Sequence, residues 1–226
     1  MPDFIATPKP KKPSLISRVF KGNVFRLNSV LPNINMRFLI DDSSSSTHEI
    51  FRNNEEDAIN KDGDAGLFRS QLDQAEGYRE IWKIVKETVR HVLGKSRVSM
   101  MLFLDDLPTN IGAYHSVGTN NIVLNKALVE LVEATAKSKL EVNAFICTLL
   151  THEYLHALGY LSENDVRHLV CKVSRVCFGK NHVATELAQN GPWALLNGVP
   201  INGLTMPKSP MEIVKDFESP NKDYIV

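Results

Sequence analysis

The sequence predicts an α+β fold, a small mixed β-sheet packed on one long helix with further helices around it. Three observations lead there. Residues 74–93 repeat apolar side chains at helical spacing, and residues 140–158 form a second, longer helical run that is mostly apolar. Between them, residues 97–104 and 111–125 hold short apolar runs bounded by turn residues, the mark of strands.

Each element follows from its own residues. In QAEGYREIWKIVKETVRHVL, residues Tyr78, Ile81, Trp82, Val85, Val89 and Val92 share a helical face, and Gly94 supplies the stop. RVSMMLFL, residues 97–104, reads as a buried strand. IGAYHSVGTNNIVLN, residues 111–125, reads as two strands around a Gly118–Asn121 turn, and residues 126–135 as a short helix. LEVNAFICTLLTHEYLHAL, residues 140–158, is the long helix, with Gly159 at its C′ position. Ser162 then opens another helix with Asp165 three residues on, the pattern of a capping box, and Val166, Leu169, Val170, Val173 and Val176 carry it to about Phe178. NHVATELAQN after Gly179 reads as a short polar segment, and the proline-bearing remainder as irregular.

The N-terminal third has another character. Residues 1–18 form a basic tail, with four prolines and three lysines between Pro2 and Pro13, and read as mobile. Residues 19–70 form an N-terminal extension. Residues 19–40 are apolar enough for one or two strands, and residues 41–66, with a serine run and several acidic groups, read as a linker. Residues 71–226 are the main domain.

Composition narrows the function classes. Lys+Arg and Asp+Glu number 26 each in 226 residues, so no net charge draws the chain to nucleic acid or to an anionic membrane. Neither partner is expected. No apolar run follows the basic N-terminus, which argues against a secretory signal, and no stretch is long enough to span a bilayer. The expected location is cytoplasmic. Three cysteines, Cys147, Cys171 and Cys177, suit neither a disulfide framework nor a zinc knuckle.

The segment that carries chemistry is Thr151-His152-Glu153-Tyr154-Leu155-His156, an HExxH motif inside the long helix. Positions i and i+4 share a helix face, so His152 and His156 aim two imidazoles at one metal. Zinc accepts such nitrogens at roughly 2.0–2.1 Å. Glu153 is placed to act as general base for zinc-bound water. Chance yields an HExxH in roughly 1–2% of chains of this composition. Burying three ionisable groups on an apolar helix would cost several kcal/mol unless they are paired or bind metal.

With its following turn, the stretch THEYLHALGYLSENDVRHLV resembles the active-site helix of the zincin metallopeptidases. The likeness runs over about residues 75–190, where GAYHSVGTNNIVLN and two helices follow the zincin order of edge strand and metal-binding helix. It implies a zincin-like fold, Zn2+ as cofactor, and hydrolysis of peptide bonds in a peptide or protein substrate laid along the edge strand. It implies a third protein ligand as well. Metzincins continue as HExxHxxGxxH; Gly159 matches, but Ser162 stands at the ligand position. Gluzincins use a Glu on a later helix, with Glu163 and Glu186 as options, and SprT-like proteases use a downstream His. His182, after a glycine-containing loop, is the favoured third ligand, ahead of Glu163, Glu186 and His168. Tyr114 and His115, on the expected edge strand, are candidate donors to an oxyanion. Two rivals stand beside this reading: a catalytically inactive zinc-binding interaction or regulatory domain, and a helical protein whose HExxH is accidental.

Overall fold

The computed structural model describes residues 62–199 and 209–218. The chain divides into two units, Met1–Asp42 and Ser43–Val226, and every described residue belongs to the second. The readings of residues 1–18 and 19–61 therefore lie outside the described residues.

The described part is α+β. Helices α1 (Asp62–Gln74) and α2 (Tyr78–Leu93) come first, followed by strands β1 (Met101–Asp105), β2 (Ala113–His115) and β3 (Asn121–Asn125). Helices α3 (Lys126–Thr135), α4 (Lys139–Ala157), α5 (Glu163–Phe178) and α6 (Val183–Asn190) follow, then a 3-10 turn at Pro192–Leu196 and a short strand β4 (Glu212–Ile213). The sheet order is β2-β3-β1-β4. β1 and β3 run parallel, with Leu102 beside Ile122 and Leu104 beside Leu124; β2 and β4 are antiparallel to their neighbours. Among the described residues β2 is thus an edge strand.

Helix α4 is the centre of the structure. Its apolar residues run all the way round, as a helix surrounded by protein requires, and it packs on α1, α2, α5, α6 and on strands β2 and β3. Phe145, Leu150, Tyr154 and Leu155 on α4 join Trp82, Val85, Leu102, Ile122, Leu124, Val166 and Val170 in one core. Gly112 lets the chain entering β2 lie against this helix, because a Cβ there would stand 2.7 Å from Leu149 Cδ2. Asn125 fixes the loop before β2: its amide donates to the Leu107, Pro108 and Ile111 carbonyls, while its Oδ1 accepts from Leu128 N and caps α3.

The expected helices over 126–135 and 140–158 are present, the one expected over 74–93 starts at Tyr78, and Gly94 ends it in the left-handed region at φ 65°. The strand expected at 97–104 starts later, at Met101. One reading needs correction. Helix α1 begins at Asp62, so it runs through the expected linker and across the domain boundary placed at residue 70/71. Phe68 and Leu72 are buried in the core, and Asn143 of α4 donates to the Leu72 and Ala75 carbonyls. The polar segment after Gly179 is helix α6, because Ala184 and Leu187 bury one face. Among the described residues no helix is long and apolar enough to cross a membrane.

Candidate metal centre

The site is built where α4 ends and α5 begins. Helix α4 closes in a Schellman motif: Tyr160 N–H donates to Leu155 O at 3.2 Å and Gly159 N–H to His156 O at 3.0 Å. Gly159 takes φ 96°, which only glycine adopts without strain. This turn brings the Tyr160 carbonyl back onto His156, whose Nδ1 lies 2.8 Å from it. A carbonyl only accepts, so Nδ1 carries the proton and Nε2 presents a lone pair. The same relation orients histidine ligands in metal sites generally.

Ser162 caps α5 by accepting from Asp165 N at 3.3 Å, as its spacing predicts. The helix therefore starts at Glu163, with that carboxylate over the α4 face that carries the histidines. His152 Nε2 lies 3.2 Å from Glu163 Oε2, and His156 Nε2 lies 3.1 Å from Glu163 Oε1. The two Nε2 atoms are 3.2 Å apart. Around a tetrahedral zinc with bonds of roughly 2.0–2.1 Å, ligand atoms stand about 3.3–3.4 Å from one another. The three residues form one group able to hold a metal ion, two imidazoles and a carboxylate converging on one point. Without a cation or a shared proton, lone pairs would face lone pairs there. This donor set fits zinc.

Glu153 is buried on the same helix, where its carboxylate accepts the backbone N–H of His115 from edge strand β2. Burial, and next the negative charge of Glu163, push its pKa up to about 8. Burial holds the pKa of His152 down, to about 4. A bound divalent cation would favour the ionised carboxylate and the neutral imidazole, the states that a base and a ligand need.

The structure brings His152, Glu153, His156 and Glu163 together, and it sets His182 apart. The expectation that His182 is the third ligand is corrected on two grounds. Both ring nitrogens are already engaged: Nδ1 accepts from Ala184 N at 3.1 Å, capping α6, and Nε2 lies 3.3 Å from Asp73 Oδ1 of α1. Its position also forbids the role, because α5 has its first residue at the histidines and, at 16 residues, rises roughly 24 Å before the loop that carries His182. Glu163, ranked behind it from sequence, is the residue that closes the group. His168 on α5 and Glu186 on α6 are exposed and outside it. Of the edge-strand candidates, Tyr114 is exposed on β2, while His115 turns its ring Nδ1 toward Asn121 O at 2.9 Å and gives its backbone N–H to Glu153.

Sequence reading gave no role to Tyr160, which orients His156 through its carbonyl. The glycine one residue before it was the available signal, since a Schellman turn fixes where the next carbonyl points. Compared with known proteins, the chain matches no family model, no curated protein and no solved structure.

Proposed function

We propose that this chain is a zinc-dependent metallopeptidase of the zincin type, with a gluzincin-like ligand set of His152, His156 and Glu163 and with Glu153 as general base. The observation that carries the reading is the cluster of two imidazole Nε2 atoms 3.2 Å apart, each 3.1–3.2 Å from its own oxygen of the Glu163 carboxylate, with the buried Glu153 carboxylate on the same helix as the histidines. A structural zinc site has no use for that carboxylate, whereas hydrolysis requires a base.

Zinc, when bound, supplies Lewis acidity toward the scissile carbonyl and toward water. The protein's own residues do the rest. Glu153 accepts the proton of the attacking water and returns it to the leaving amine, so the C–N bond breaks with no net change in the carboxylate. Burial away from competing water strengthens both transfers. Edge strand β2 offers main-chain groups to an extended peptide, which would pair as an added strand. Zincin resemblance in the sequence and the order of edge strand, central helix and following helix support the same reading.

The experiment is metal analysis joined to hydrolysis of an unfolded protein. The proposal expects about one zinc per chain, hydrolysis that stops with a chelator, and its return with zinc. Full zinc occupancy with no hydrolysis of any peptide would leave only the inactive zinc-binding domain.

A further inference from the structure

Arg97 sits half-buried in the segment between α2 and β1 and reaches two places at once. Through Nη1 it donates to the carbonyl of Ala157, the residue after His156. Through Nη2 it donates to Thr119 O at 2.8 Å and to Asn120 Oδ1 at 2.5 Å, both in the turn that joins β2 to β3. Its backbone is fixed as well: Arg97 N–H donates to the Tyr154 hydroxyl at 2.7 Å, and that hydroxyl donates to Arg97 O at 3.1 Å. Tyr154 follows Glu153, is fully buried, and packs edge-on against Trp82 at 4.8 Å.

One rigid, planar fork therefore links the end of the metal-bearing helix to the hairpin whose outer strand holds Glu153 through His115. A lysine could satisfy one of these anchors at a time; only a guanidinium spans both with fixed geometry. We infer that Arg97 is a positioning residue that fixes the end of α4 relative to the 116–120 turn, and with it the placement of edge strand β2, along which an extended peptide would add. The inference rests on the metallopeptidase reading. Arg97 touches neither the metal ligands nor Glu153; it acts through the Ala157 carbonyl and the 119–120 turn.

The test removes one end of the strut. Asn120→Ala takes away the hairpin anchor and leaves the α4 anchor, whereas Asn120→Asp keeps an acceptor for the guanidinium. Hydrolysis of an extended peptide by Asn120→Ala should show KM raised about tenfold, the worth of one charge-assisted hydrogen bond, with kcat and zinc content near those of the wild type. Asn120→Asp should restore the wild-type KM, and Arg97→Lys should raise it. Amide hydrogen exchange gives a second readout: residues 113–123 should exchange faster in Asn120→Ala, while residues 150–158 keep their protection. An unchanged KM, or a lowered melting temperature with no change in KM, overturns the inference. If the wild type hydrolyses no peptide, the functional reading has failed on its own, and the exchange of residues 113–123 alone then upholds or overturns the strut.

Discussion

Glu163 divides the account from its nearest alternative. At the first position of α5 a carboxylate favours the helix dipole whatever else it does, so the sequence gives it an ordinary reason to be there. The structure adds two imidazole nitrogens at 3.1–3.2 Å. Glu163→Ala should weaken zinc binding by more than about a hundredfold, since even the partners of metal ligands are worth 10–100-fold. His182→Ala should leave zinc content normal and instead loosen the start of α6; titration calorimetry of both variants decides between them. Glu153 makes a prediction about stability. Burial raises its folded-state pKa to about 8 from the ordinary 4.5, so between those pH values the folded chain holds a proton that the unfolded chain has released. Its contribution to stability is therefore present below about pH 4.5 and lost as pH rises through 8. In metal-free protein Glu153→Gln removes this loss, and its melting temperature should exceed the wild type's by a margin that widens from pH 5 to pH 8. The full difference is a few kcal/mol at most. A margin independent of pH would show that the buried carboxylate is not protonated in the metal-free fold.

At the scale of elements, legibility in the sequence tracks locality. Helix α2 was legible because Tyr78 to Val92 repeat at helical spacing and Gly94 ends the run. The HExxH pair was legible for the same reason, as the two histidines are one helical turn apart. The place of Glu163 beside them was not, because it depends on how sharply the chain reverses between Leu158 and Ser162, a matter of Gly159's φ and of the Schellman bonds. Helix α1 was missed because DGDAGLFRSQLDQ is polar and carries two glycines; what holds it is tertiary, Phe68 and Leu72 buried in the core, Asn143 on the Leu72 carbonyl and His182 beside Asp73. Leu72→Ala should destabilise the fold by about 2–5 kcal/mol, read by denaturant unfolding. A change within about 0.5 kcal/mol would mean that α1 is not part of the core. Gly159→Val should cost about 1–2 kcal/mol for the left-handed backbone and should weaken zinc binding too, because the turn holds the Tyr160 carbonyl on His156.

For the whole molecule, residues 209–218 show how the sheet is extended on the side away from β2. Phe217 stacks on Trp82 at 4.8 Å, Glu218 pairs with Lys86 and accepts Met100 N at 2.6 Å, and Ser209 donates to Asp106 at 2.7 Å through its backbone. With β4 these contacts cover β1, leaving β2 at the other edge. The α+β class was legible from alternating strand and helix patterns, but not this strap: β4 is two residues long, and its partners lie more than a hundred residues upstream. Among the described residues β2 is the edge strand packed on α4 and next to Glu153, and it is there that the proposed substrate strand would add. The claim that ties these scales together is that the four residues form a hydrolytic centre. Its most direct test is the rate of hydrolysis of an unfolded protein by zinc-loaded wild type and by Glu153→Gln at equal zinc content. The account predicts one zinc in each and a rate lower by about 10²–10⁴-fold in the variant, the loss expected for a general base. Equal rates in the two proteins would contradict it.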